Sequence, residues 1–450
     1  MLARSFLIAL LVALLAVLVP AIATADGGKR ANETIRVVSA PVESGVYRFS
    51  LRTRSGHRIV RAKLRVGRFQ KRLNVRRVRR AARSGQVRAR IAKRGRTVAS
   101  VSGKHRAQLL ITTAKRRAVK KVGSGASCRL GGFGAGRWPG ACWRPYADSS
   151  PFNRRIPARP KLHPRSSTFV RSVTGFGKPT NLVAANGDND WGHPTYYSTP
   201  ADPVYTVHCV ESWGRCSIEG HKIRIPSQAR AAGAEDGHMT VVDQATGWEY
   251  DFWQVRRKRS GGGRIDISWG GRTRIDGDGL GSDATAAKFG NMAGIVRAQE
   301  LAAGKIDHAL LMIINCDSGE HVYPAQKSGR ACSAVGRSNG SAPPMGARFQ
   351  LDMSDKEIGE LRVPSYKKTL LKAMADYGLY FGDTGGGSWG IQFESGATYS
   401  SFGRLDPLVA FGRAKRLPTW QGEHVFNVRD GVDWRKHLRV VDPCVARRTC

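Results

Sequence analysis

Acidic residues are scarce in this 450-residue chain, which has 34 Asp plus Glu against 74 Lys plus Arg and a formal net charge of +40. The shortage is concentrated: residues 31–121 hold only Glu33 and Glu43 against 28 Lys plus Arg, so this fifth of the chain supplies +26 of the total. Cysteine is absent from the first 127 positions, and no CxxC pair occurs anywhere, which argues against a zinc ribbon or finger. Beyond the N-terminus no apolar run approaches the ~20 residues of a membrane helix. Internal repeats and long low-complexity tracts are also missing.

Residues 1–25 carry one early cation, Arg4, then an apolar run from Phe6 to Val19, then small residues ending Ala23, Thr24, Ala25. This pattern predicts a secretory signal and a secreted, extracellular or wall-associated protein. Eight cysteines fit an oxidising compartment. Their positions fall into four close pairs, predicting Cys128–Cys142, Cys209–Cys216, Cys316–Cys332 and Cys444–Cys450. Loops this short contribute about 2–3 kcal/mol each and act locally.

Apolar residues alternate in IRVVSAPV, VYRFSLRTR, RIVRAKLRV, VRARIAK, TVASVS and AQLLITT, which predicts a small basic Ig-like β-sandwich over 31–121. The stretch FQKRLNVRRVRRAARSG breaks the alternation and predicts one short cationic helix within it. A linker at 122–127 leads to a larger domain, 128–450. Its strands, including HMTVVD, WEYDFWQV, RIDISWG, HALLMIIN, RFQLDM, LYFGDT and WGIQFES, predict a mainly β, disulfide-stapled, jelly-roll-like sandwich. Two helices are expected in it, one over 284–303 capped by Ser282 or Asp283 and ended by Gly304, the other over 366–377 between Ser365 and Gly378.

The richest segment for chemistry is DGHMTVVDQATGWEYDFWQ, read as two strands joined by a tight turn. Strand alternation puts Glu249, Asp251 and Trp253 on one face and Trp248, Tyr250, Phe252 and Gln254 on the other. Two acids beside an indole are the materials of a sugar site, and strand rise separates the acids by roughly 6–7 Å. Glycosidase carboxyls stand about 5–5.5 Å apart when configuration is retained and about 6.5–9.5 Å when it is inverted. Asp352 and Glu394 are further candidates for a second acid. The competing reading makes these acids strand-face charges that hold arginines.

EYDFWQ resembles the ExDxxE signature of laminarinase-type jelly-roll glycosidases, in which alternate acids line a concave sheet. The final carboxylate of that signature, the acid/base, is replaced here by Gln254. Jelly-roll polysaccharide lyases use histidine and tyrosine instead. The corresponding materials are His238, His308 and Tyr323, with Arg348 to neutralise a uronate, but RxExR, QxH and YxNGxY-like motifs are not found. SPFN, WGHPTYY, DGHM, YDFWQ, GDGLG, IDHAL, YPA and GARFQLD together resemble a family of exported bacterial proteins, which implies export without implying an activity.

RIDGDGLGSD gives Asp276, Asp278 and Asp283 with turn-forming glycines, a possible calcium loop that lacks EF-hand ligands at Leu280, Ala284 and Ala287. No other cofactor is expected. Trp191, His193, Tyr196 and Tyr197 suit sugar faces or a packed core. The expectation is a polysaccharide-degrading enzyme, with Glu249, Asp251, His238 and His308 as candidate catalysts and Trp253, Trp191, Gln254, Tyr323 and Arg348 on the substrate. The alternative is a non-catalytic glycan-binding or adhesion protein. In either case the basic domain would attach to acidic envelope polymers such as teichoic acids or uronates, with no dedicated nucleic-acid partner.

Overall fold

The computed structural model describes residues 128–184 and 190–450, together with 32–39, 41–43, 46–50, 57–66, 69–73, 86–90, 107–115 and Val78. The expected signal, the strand TVASVS and the linker lie outside the described residues. The chain forms two compact units, Met1–Ser124 and Gly125–Cys450.

In the first unit the strands are β1 (Asn32–Ser39), β2 (Pro41–Glu43), β3 (Val46–Ser50), β4 (His57–Val66), β5 (Phe69–Arg72), β6 (Gln86–Arg90) and β7 (Ala107–Lys115). They build one sheet in the order β1-β7-β4-β5 and another in the order β2-β3-β6. Alternation does what it should: Leu64 lies opposite Leu109 in the β4–β7 register, and both are fully buried. One expectation fails at Phe69–Arg72, which starts no helix but pairs antiparallel with β4. Of the remaining expected helix only Val78 is described, and it is helical and buried.

The second unit is mainly β, with short strands β8 (Leu182–Val183), β9 (Thr195–Ser198), β10 (Val204–Cys209), β11 (Lys222–Arg224), β12 (Met239–Asp243), β13 (Trp248–Lys258) and β14 (Gly263–Arg274). They continue as β15 (Leu310–Ile314), β16 (Arg348–Leu351), β17 (Leu379–Thr384), β18 (Gly390–Ile391), β19 (Thr419–Trp420), β20 (Glu423–Phe426) and β21 (Leu438–Val441). A six-stranded sheet runs β11-β10-β14-β13-β12-β9, and a five-stranded sheet runs β18-β15-β17-β16-β21. Both are mixed, because β10–β14, β9–β12 and β15–β17 are parallel pairs. The mainly β content and the several sheets are consistent with the expected sandwich class. The tight turn between β12 and β13 forms as expected, with Gly247 in the left-handed region (φ +72°), where a side chain is strained.

Eight α-helices occur among the described residues of this unit, not two: α1 (Ser166–Gly175), α2 (Ala298–Ala303), α3 (Asp355–Glu360), α4 (Ser365–Asp376), α5 (Ala397–Ser400), α6 (Pro407–Ala414), α7 (Trp434–His437) and α8 (Pro443–Arg447). The helix expected over 366–377 is α4. Its partner over 284–303 shrinks to α2, ended by Gly304 as expected but preceded at its N-cap by Arg297 rather than by Ser282 or Asp283. Residues 284–297 instead form an irregular strap, because backbone N–H groups at Asn291 and Met292 bond to carboxylates of β13 instead of to a helix carbonyl. All four expected disulfides are present. No helix among the described residues is long and apolar enough to cross a membrane.

Candidate functional site

Glu249 and Asp251 share a face of β13, as alternation requires, but that face is closed. Both are fully buried beneath the 284–297 strap. Tyr146 Oη donates to Glu249 Oε2 (2.8 Å) and the Met292 N–H to Oε1 (3.0 Å), while Thr240 Oγ1 (2.9 Å) and the Asn291 N–H (3.2 Å) donate to Asp251. Burial, and then the charge of Asp251, push the Glu249 carboxyl well above the usual range. The pair is a sealed structural device that tethers the strap and the Tyr146 segment to the sheet. The two acids are therefore not placed to act as the expected catalysts: no substrate reaches a carboxyl with no exposed surface.

The histidines do not converge on these acids as a catalytic group. His308 sits against Ala309 O (2.9 Å) and Glu300 Oε1 (3.0 Å), so both ring nitrogens are engaged and neither is free to take a proton from a substrate. It lies at the edge of a cleft of about 380 Å³ lined also by Arg144, Arg155, Lys305 and Asp307. The cations there are already matched, Arg144 to Asp148, Arg155 to Asp376 and Lys305 to Asp307. His238 lies elsewhere, packed against His193 with ring centroids 4.3 Å apart. Burial lowers His193 to about 3 and His238 to about 4, so both imidazoles are neutral near pH 7.

Other expected ligand groups serve the core. Arg348 is buried and donates to the Tyr377 and Arg154 carbonyls, so it cannot neutralise a uronate. Tyr323 is half-buried under the Arg447 guanidinium. Asp352 pairs with Arg439, and Glu394 is buried against Tyr399 Oη. In the expected calcium loop Asp276 is clamped by Arg274, Asp278 accepts from the Leu280 N–H, and Asp283 pairs with Lys288. Among the described residues no three Asp, Glu, His or Cys side chains converge as metal ligands.

What does reach the surface is aromatic. Trp213, 61% exposed, stands in the loop closed by Cys209–Cys216, with its ring centroid 5.5 Å from that of Trp253 and 6.0 Å from that of Trp269. Trp253 and Trp269 are half-buried and face each other across the β13–β14 register. Beside them, buried Ser268 Oγ accepts from Arg256 Nε (2.9 Å) and donates to Gln254 Oε1 (2.9 Å). Gln254 holds a left-handed backbone (φ +51°) at the irregularity of β13. Trp191 is separately exposed, at 53%.

Sequence reasoning selected Trp253, Trp191 and Gln254 but passed over Trp213 and Trp269. The signal for Trp213 was available in CVESWGRC, a tryptophan held at the tip of a cysteine-closed loop. Asp236, which holds the Trp253 indole, was also missed. Trp253 Nε1 donates to Asp236 Oδ1 (3.1 Å), and burial, with a further push from Asp236, raises Asp383 to about 7.

The buried carboxyls predict a specific pH response. Burial raises Asp190, Asp251 and Asp406 to about 6 and Asp383 and Glu394 to about 7. A carboxyl raised in the fold costs stability as pH climbs from its unfolded value, about 4, through its folded one. His193 and His238, lowered in the fold, cost stability as pH falls below about 6.5. The carboxyls outnumber the histidines, so the unfolding temperature is expected to be higher at about pH 5 than at about pH 8, and to drop below about pH 4. Scanning calorimetry across that range checks it; a curve that climbs from pH 5 to 8 contradicts it.

No protein-family model, no curated protein and no solved structure matches this chain.

Proposed function

We propose that the protein is an exported glycan-binding protein whose second unit holds sugar rings on the face formed by Trp213, Trp253 and Trp269. The observation that carries this reading is the exposed indole of Trp213, held by a disulfide-closed loop over two further indoles. An exposed aromatic group of this size is costly to leave in water unless something covers it, and indole faces stack on the C–H side of a pyranose. The polar rim of Gln254, Arg256 and Glu211 supplies donors and acceptors for hydroxyl groups. Burial of Glu249 and Asp251 favours binding over the expected cleavage by that pair. The basic first unit fits attachment to an anionic envelope polymer, since dense positive charge attracts polyanions.

Trp213→Ala tests the platform. Its side chain is mostly exposed, so the fold should be unaffected, while affinity for insoluble polysaccharide should fall by about tenfold to hundredfold, the size expected of a tryptophan hot spot. Depletion assays against a panel of wall and capsular glycans provide the measurement. Unchanged binding by the variant, or no binding by the wild type, would remove the proposal.

A further inference from the structure

We infer that the tryptophan face selects a uronic-acid polysaccharide, with the Arg256 guanidinium receiving the sugar carboxylate while the indoles hold the ring. The inference rests on the glycan-binding reading and names the substrate class of that same site. Contacts join Arg256 to a near neighbour of each of the three indoles. Its Nε donates to Ser268 Oγ (2.9 Å), beside Trp269, and its Nη2 donates to Gln254 Oε1 (2.6 Å), beside Trp253. Nη2 also lies 3.8 Å from the carboxylate of Glu211, two residues before Trp213. Ser268 Oγ in turn donates to Gln254 Oε1 (2.9 Å), which closes a triangle around the guanidinium. The side chain is thus held in place and still 52% exposed, open to a ligand lying on the indoles.

What holds Arg256 sets it apart from other arginines of this unit. Arg257, Arg274 and Arg439 each meet a carboxylate at 2.9 Å, so their charge is matched at hydrogen-bond distance. Arg256 is aimed instead by two neutral acceptors, and Glu211 stands beyond hydrogen-bond reach. One fork of the guanidinium, Nε with Nη2, is used within the protein. The other fork, Nη1 with the second N–H of Nη2, takes part in no hydrogen bond among the described residues, and a fork of this kind matches the two oxygens of a carboxylate.

The charge around the platform favours the same ligand. Residues 256–264 hold five Lys plus Arg and no acid, and the next acid, Asp266, is shared by Arg257 and Arg264, so this hairpin keeps a positive excess that attracts anions. Asp236, at the other border, already accepts from Trp253 Nε1 (3.1 Å). A uronate carries its carboxylate at the edge of the pyranose ring, so its C–H face stacks on an indole while the carboxylate meets a guanidinium beside that indole. The neutralising role expected of Arg348, which is buried, thus falls to an exposed arginine at the platform.

The full chain should be titrated with short oligomers of galacturonate, glucuronate and mannuronate, each as the free acid and as its methyl ester, and with neutral glucan oligomers. The ester keeps the ring and removes the charge. Tryptophan fluorescence is the readout: residues 1–124 contain no tryptophan, so the signal reports the second unit, and Trp213→Ala run alongside isolates the platform. For at least one uronate the acid is expected to bind about tenfold more tightly than its ester, and Arg256→Gln to reduce that preference to within about twofold. Should Arg256→Gln fail to fold, the comparison of acid with ester on the wild type decides alone. Equal binding of acid and ester for every uronate, or a folded Arg256→Gln that keeps the preference, overturns the uronate assignment and leaves the platform standing. Tighter binding of a glycerol phosphate oligomer or of an oligonucleotide than of any uronate overturns it as well. If no saccharide, whether acid, ester or neutral, changes the platform signal, the glycan-binding reading falls too.

Discussion

Replacing Arg297 by alanine is expected to cost about 3–5 kcal/mol of stability, because the change strands a buried charge. Arg297 and Glu300 are both nearly fully buried at the start of α2, and the guanidinium donates to Glu300 Oε1 (2.7 Å) and to the Trp143 carbonyl. The Arg297 backbone N–H donates to the other carboxylate oxygen (2.8 Å). Burial opposes ionisation of Glu300, yet Arg297 and then His308 outweigh it and hold the group down at about 2. Without the guanidinium that carboxylate loses its principal counter-charge in a buried site. Urea denaturation of the full chain measures the loss. An Arg297→Met, Glu300→Leu double variant should recover most of it, since removing both charges removes the desolvation penalty as well. A single variant within about 1 kcal/mol of wild type would show that the pair contributes little.

Gly290→Ala is expected to destabilise the second unit by about 1–3 kcal/mol or more through overpacking. A Cβ there would collide with Tyr146 Oη and come within 2.9 Å of both Glu249 Oε1 and Thr273 Cγ2. The strap could accommodate it only by lifting from the acids, which would break the Asn291 and Met292 N–H bonds that seal them. Gly359→Ala is the control, since that glycine lies in α3 with nothing within 4 Å and alanine is the better helix former. Thermal unfolding of the two variants side by side should show a drop for the first and none for the second. Equal midpoints would mean that the strap is not locked by close approach.

The mainly β class was legible because period-two alternation is a local property of the chain, and the cysteine pairs were legible because short loops bring their ends together cheaply. Helix 284–303 was misread for a physical reason. AAKFGNMAGIV has helical spacing of apolar residues, but its glycines weaken a helix, and distant carboxylates compete for its N–H groups. Arg348 was misread because a charged residue in a strand is usually exposed, and only the fold showed that two backbone carbonyls would claim it in the core.

The amino-acid order by itself determined the strands, the four disulfides, the charge imbalance of the first unit and the face shared by Glu249 and Asp251. Tertiary structure alone decided that this face is covered, since the groups covering it come from Tyr146, 103 residues away, and from Asn291, 40 residues away. It alone placed Trp213 over Trp253 and Trp269. Alternation states which side of a strand a residue takes; what lies against that side depends on the packing of segments far apart in the chain.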